Sequence, residues 1–389
     1  MALRNLAGFF AGSPLLLGQQ DPFRRSNRIP AMNELITTFD FEPVAFAKLP
    51  RDAYDYTAYG EASEFTLRRN RAAFDWVELV PKGVADVSSI KTSIDLLGTK
   101  MDYPIMVSPT AYQLQLHPEG EVAMRHGATA ASNTPMIISG NASLPVPKIA
   151  SAESSSTVWY QIYPNADLAA SQDLIENAQT AGCKAVVMTV DQQSSSYERA
   201  THNRNLGPFT GRGVAGRGGR GAPAGGRGGN PYRIATNRLW IDWKFVEKIR
   251  PTVKVPLMAK GIVTGEDAKL GVENGLDAIY VSNHGGRSMD YGPATLEVLA
   301  EIVDAVNGRI PVIVDSGFRR GSDVLKALAL GAKAVCLGRV PRWGLAAYGP
   351  AGVQRVLEIM QGELVMAMAA TGRPTLASID RTLVRTDFP

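Results

Sequence analysis

Cysteine and histidine are scarce in this chain, with two and four residues in 389. Cys183 and Cys336 stand beside or inside apolar runs, so they read as small buried hydrophobes and not as a disulfide or a metal pair. With no Cys/His cluster, a structural zinc has no ligand set. Charge of one sign is missing too. The 41 basic and 37 acidic residues leave +4, much of it in one arginine-containing loop, which does not imply a nucleic-acid partner. No run of about 20 apolar residues is present, so no segment reads as a membrane span.

The N-terminus is ambiguous. Leu6 to Leu17 is apolar and follows Arg4, like the core of a signal peptide. A single arginine is a thin basic flank and no Ala-x-Ala site follows, which favours a short apolar segment packed on the body or on a partner. The expectation is a cytoplasmic protein, with export or membrane association as the alternative.

What is present is regular. From residue 101, apolar β-branched runs alternate with helical segments. Strands are expected at Pro104–Ser108, Pro135–Ser139, Val158–Ile162, Ala185–Val190, Val255–Ala259, Ala278–Val281, Pro311–Val314 and Ala334–Leu337. The helices between and after them are expected near Gly120–Asn133, Val146–Ala152, Asp167–Ala181, Asp242–Ile249, Gly265–Asn274, Thr295–Val306, Gly321–Leu330 and Gly352–Ala369. Eight βα units predict a closed α/β barrel, the (β/α)8 or TIM fold. Before it, Phe41–Leu49 and Glu64–Phe74 read as helices of an N-terminal extension. The expected division is an arm over 1–45, a barrel over 46–375 and a tail over 376–389.

One segment breaks the rhythm. Gly207 to Pro231 is rich in glycine and holds four arginines between Gly211 and Asn230. It cannot build a core. Residues 205–232 are expected to be a flexible loop after strand four, on the rim where barrel active sites gather. Three readings stay open: a substrate lid, a plain insertion, or an Arg-Gly tract binding RNA on a non-catalytic scaffold.

Polar residues recur at the strand ends. Ser282-Asn283-His284-Gly285-Gly286-Arg287 follows strand six and supplies a group that titrates near neutrality and a planar fork for a carboxylate. Asp315-Ser316-Gly317-Phe318-Arg319-Arg320-Gly321 and Gly338-Arg339 follow strands seven and eight, where glycine-rich backbone and helix starts bind phosphate. Lys260 after strand five could place positive charge beside a redox ring. The residues alone suggest a phosphorylated cofactor, a histidine base and an arginine clamp for an acid.

Over residues 45 to 375 the chain resembles the FMN-dependent α-hydroxy-acid oxidase and dehydrogenase family: glycolate oxidase, lactate oxidase and monooxygenase, mandelate dehydrogenase. The strongest motif is Ser282 to Arg287 with Asp290, followed by Asp315 to Ala332; Pro109-Thr110-Ala111, His117-Pro118-Glu119-Gly120 and Thr189-Val190-Asp191 fall in order. The resemblance implies that FMN is bound and an (S)-2-hydroxy acid oxidised, with O2 or another acceptor taking the electrons and a homotetramer as the assembly. His284 would take the substrate's proton and Asp191 would hold the imidazole. Tyr163 would contact the hydroxyl, and Tyr56 and Arg287 the carboxylate, with Arg199 a candidate second arginine. Pro109, Thr110, Ala111, Ser139, Gln161, Thr189, Lys260 and Ser282 would surround the flavin. Asp315 would hold the ribityl chain, and Gly317, Arg319, Gly338 and Arg339 the phosphate. Asn141 stands where the family often has tryptophan, and Gln192 to Arg199 departs from its pattern. Both departures point to an unusual substrate, and an amine or peptide-derived one, as in the mycofactocin branch, is the alternative.

Overall fold

The computed structural model describes residues 28–191, 194–195, 233–234 and 240–389. Its compact units divide between Ile36 and Thr37. On the short side, Met32–Glu34 forms a 3-10 turn and Arg28 pairs with Glu34 at 2.7 Å. The apolar Leu6–Leu17 run lies outside the described residues, as do the Gly/Arg loop and Arg199, apart from short extended pieces at 194–195 and 233–234.

The larger unit is built on eight parallel strands: β1 (Ile105–Val107), β2 (Met136–Ile138), β3 (Val158–Ile162), β4 (Val186–Thr189), β5 (Leu257–Ile262), β6 (Ala278–Val281), β7 (Val312–Val314) and β8 (Ala334–Leu337). Each pairs with its neighbour in sequence, and β8 returns to β1 with Cys336 opposite Met106, so the barrel is closed. Nearly every strand residue is buried, because one face packs inside the barrel and the other under helices. The interior layer includes Met106, Ile137, Trp159, Val187, Met258, Tyr280, Ile313 and Cys336. A hairpin of Ile94–Leu96 and Thr99–Met101 closes the lower end, where Trp159 donates its indole N–H to Thr99 Oγ1 at 3.0 Å.

Three helices precede the barrel: α1 (Phe41–Lys48), α2 (Arg51–Ala58) and α3 (Phe65–Ala72). The barrel helices are α4 (Gly120–Ala130), α5 (Val146–Ala150), α6 (Leu168–Thr180), α7 (Trp243–Ile249), α8 (Gly265–Glu273), α9 (Thr295–Val306), α10 (Gly321–Ala329) and α11 (Arg339–Ala370). No described helix is long and apolar enough to cross a membrane. Residues 384–386 pair antiparallel with 77–79.

All eight expected strands form, with one shift that matters. β5 runs to Ile262, so Lys260 lies inside the barrel wall instead of after it. The ladder slips at Gly261 (φ +113°), where a Cβ would stand 2.4 Å from the Cβ of Asp191. Only glycine lets the two strand ends pass so closely. The expected Gly352–Ala369 helix forms, and a further helical stretch from Arg339, directly after β8, precedes it; the two are separated by a break at Tyr348 and Gly349, because Pro350 has no N–H to continue the run.

Candidate active site

The upper rim of the barrel carries a bonded acid–base pair. His284 Nδ1 lies 2.9 Å from Asp191 Oδ1, which joins the ends of β6 and β4. Asp191 is deeply buried, and burial alone would raise its pKa. The charge of Lys260, then the charge and hydrogen bond of His284, outweigh this and hold the carboxyl at about 2. Burial lowers the pKa of His284 and Lys260 lowers it further, while Asp191 pulls it back up. The resulting state is a neutral imidazole bonded to a carboxylate through Nδ1, with Nε2 left as the acceptor.

The loop after β6 is built to hold that imidazole. His284, Gly285 and Gly286 are all left-handed (φ +59°, +68°, +75°). A β-carbon on Gly286 would meet the backbone of Leu67 at 2.6 Å. Asn283 and Asn70 exchange reciprocal amide bonds of 2.9 and 2.8 Å, and Asn283 Oδ1 also accepts the Gly286 N–H at 3.0 Å. Asp290 caps the start of α3 by accepting the N–H groups of Ser63 and Thr66. The expected helical extension thus fastens the loop that carries His284.

Arg287 leans over the rings of Tyr59 and Tyr56, at 4.0 and 4.9 Å, and donates to the Tyr56 carbonyl (2.5 Å) and the Tyr59 hydroxyl (2.9 Å). Tyr112 stands edge-on to Tyr56 at 5.6 Å, and its N–H donates to the Asn141 carbonyl at 3.3 Å. Behind them, buried Arg342 donates to the Ala111 carbonyl and to Thr57 Oγ1.

Three polar atoms on neighbouring strands are buried without a hydrogen-bond partner: Gln161 Nε2 on β3, Thr189 Oγ1 on β4 and Lys260 Nζ on β5. Gln161 Oε1 meanwhile accepts from Ser139 Oγ and the Gly140 N–H. The Lys260 ammonium is 3.7 Å from Asp191 Oδ2 and 4.0 Å from Asp315 Oδ2. On the far side, Gly317 (φ +86°) lies where a β-carbon would strike the Asn70 carbonyl at 2.3 Å, and Arg319 is half-buried. The Arg339 guanidinium donates to the carbonyls of Thr57, Gly285 and Tyr59 (2.9, 2.9 and 2.8 Å), so what it offers a ligand is its backbone N–H at the start of α11.

The model of the FMN-dependent dehydrogenase family matches residues 45–386. This chain belongs to that family. It is 38% identical to a peroxisomal (S)-2-hydroxyacid oxidase of Arabidopsis thaliana, over 92% of this chain and 98% of that protein. It is also 38% identical to glycolate oxidase of Spinacia oleracea, over 91% and 97%. A crystal structure of mandelate oxidase superposes with a TM-score of 0.79 at 33% identity, covering 91% of this chain and 99% of that one. A flavocytochrome b2 variant gives 0.81 at 31%, covering 92% and 88%. The protein is therefore an FMN-dependent oxidoreductase.

The residues fit that cofactor. The three unsatisfied groups on β3, β4 and β5 face one end of the barrel, as the polar edge of a flat heterocycle requires. Glycine backbone, Arg319 and a helix start then stand at β7 and β8 for a phosphate. Of the residues expected from sequence, His284, Asp191 and Lys260 come together directly, and so do Arg287 and Tyr56. Ser282 Oγ accepts the His284 N–H at 3.1 Å, and Thr110 accepts from Gln113 through both oxygens. Pro109 and Ala111 are half-buried after β1, and Tyr163 is half-buried just past β3. Gly338 separates β8 from α11, where a β-carbon would lie 4.0 Å from Ser108 and Thr110. Sequence reading missed Asn70, Tyr112, Tyr280 and Arg342. Arg342 had left a signal, because an arginine within the apolar run Val340 to Ala347 needs internal partners.

Proposed function

We propose that the chain oxidises an (S)-2-hydroxy acid to its 2-oxo acid, with His284 as base. The observation that carries this reading is the His284–Asp191 pair, fixed at 2.9 Å beside the Arg287 fork. Arg287 and Tyr56 hold the substrate carboxylate, and Tyr163 contacts the hydroxyl. Nε2 of His284 receives one proton as the α-carbon is oxidised, and Asp191 stabilises the imidazolium that results. The chemistry FMN would supply when bound is acceptance of the electron pair together with the second proton, both passing on to O2 or another acceptor. Lys260 and Gln161 hold its polar edge, Asp315 its ribityl chain, and Gly317, Arg319, Gly338 and the Arg339 N–H its phosphate. Resemblance supports a homotetramer, and the sequence reading of the N-terminus favours the cytoplasm; light scattering and cell fractionation test the two. The enzyme test is anaerobic. Lactate, glycolate or mandelate bleaches the yellow protein, and His284→Ala keeps the colour but not the bleaching. If no 2-hydroxy acid bleaches the flavin, the substrate class is wrong.

A further inference from the structure

Beneath the rim, inside the barrel, lies a hydrogen-bond cluster that the proposed steps do not use. Tyr280 on β6 is fully buried, and its hydroxyl donates to Asp315 Oδ2 at 3.0 Å. Ser108 Oγ at the end of β1 is 3.0 Å from the same hydroxyl and 3.4 Å from Asp315 Oδ2. Ser316 Oγ donates to Asp315 Oδ1 at 2.8 Å, and Thr295 Oγ1 to the Asp315 carbonyl at 2.6 Å. Asp315 is thus held from two sides, and its Oδ2 stops 4.0 Å short of Lys260 Nζ. The same ammonium lies 3.7 Å from Asp191 and 5.6 Å from the centre of the Tyr280 ring, and makes no hydrogen bond.

The geometry sets up a competition. A buried carboxylate 4 Å from an unbonded ammonium gains energy by closing the gap. The Tyr280 hydroxyl opposes that movement because it occupies the Oδ2 that would move. A tyrosine placed in a barrel interior must satisfy its hydroxyl, and here it does so on Asp315, one of the two carboxylates near Lys260. We propose that Tyr280 is a positioning residue: its hydroxyl keeps Asp315 turned toward the ribityl chain and away from Lys260, leaving the ammonium uncommitted for the polar edge of the flavin. The inference rests on FMN occupying this site as proposed above. Without the hydroxyl, Asp315 closes onto Lys260. The ribityl chain then loses an oriented acceptor, and the ring loses part of the positive charge that stabilises its anionic forms.

The test is Tyr280→Phe in the full-length protein, which keeps the ring and removes only the hydroxyl. Three quantities are read: the FMN dissociation constant of the apoprotein by fluorescence, the flavin midpoint potential, and the affinity for sulfite, which adds to flavin as an anion. FMN binding is expected to weaken roughly tenfold or more, the effect of losing one hydrogen bond to a charged group. Sulfite binding weakens and the potential shifts negative. In an Asp315→Asn background residue 315 carries no charge with which to capture Lys260, so the same substitution leaves sulfite affinity unchanged. A lower melting temperature with all three flavin quantities unchanged overturns the inference and reduces Tyr280 to core filler. An equal sulfite loss in both backgrounds overturns it too. If Tyr280→Phe does not yield soluble protein, Ser108→Ala tests the same network: a smaller change in the same direction supports the inference, and no change overturns it. A wild-type protein that binds no FMN sinks the reading of the site itself, which is a different result from a wild type that binds and a variant that matches it.

Discussion

Asp191→Asn removes the charge behind His284 while keeping the shape. In the wild type the carboxylate accepts from Nδ1 at 2.9 Å, buried against Gly261, with Lys260 at 3.7 Å. When His284 takes the substrate proton, the pair becomes ionic. At an effective dielectric of about 20, charges about 4 Å apart attract by about 4 kcal/mol, part of which is offset by the neighbouring ammonium. A hydrogen bond to a charged group contributes about 1.5–3 kcal/mol. A barrier raised by about 2–3 kcal/mol lowers the rate of anaerobic flavin reduction roughly 30- to 150-fold. The pH profile adds a sign. His284 works neutral, so the rate falls as pH drops through its pKa, which burial and then Lys260 hold below the ordinary 6.5. Asp191 pulls that pKa up, so its removal moves the acid limb to lower pH while the plateau falls. Stopped-flow reduction over a pH series, on samples of equal flavin content, reads both effects. A limb that moves up, or a loss smaller than about threefold, refutes the assignment of Asp191 as partner to the base.

Arg287→Lys replaces a fork with a point charge and loses the stacking on Tyr56 and Tyr59, so KM for the acid should rise roughly ten- to a hundredfold with a smaller change in kcat. Gly261→Ala forces a β-carbon to within 2.4 Å of Asp191 at a φ of +113°; thermal unfolding should register a loss of more than about 2 kcal/mol, and flavin reduction should slow as Asp191 is displaced. Asn70→Ala removes both reciprocal bonds from the buried Asn283 amide, which costs about 1–3 kcal/mol and lowers the melting temperature by several degrees. The depressed pKa of Asp191 contributes stability that is complete above its ordinary 3.8 and is lost as pH falls toward about 2; acid unfolding of Asp191→Asn should lack that component.

The barrel was legible because a strand buried on both faces becomes an unbroken apolar run, and eight such runs alternated with helices. Where the reading slipped, a polar or special residue sat inside an element. Lys260 and Gly261 read as the end of a strand, although the ladder runs through them, and the separate helical stretch from Arg339 up to the break before Pro350 went unread. The catalytic loop was legible for a related reason: His284 and Arg287 follow an apolar run within a few residues, so sequence distance equals spatial distance. Asp191 and Tyr56 are far away in the chain, and only resemblance placed them. Asn70 and Arg342 had neither advantage, because their partners lie more than 200 residues away, and one of them, the Ala111 carbonyl, is backbone that carries no residue identity. Tyr280 is the instructive case. Within Ala278-Ile279-Tyr280-Val281 it counted as one more β-forming apolar residue, yet a phenol sealed in a barrel needs an acceptor. The strand ends already held one in Asp315, as well as the lysine whose charge that acceptor would otherwise neutralise. A polar atom inside a run that excludes water therefore calls for partners on other elements, and that demand is a sequence signal for function that periodicity alone does not register.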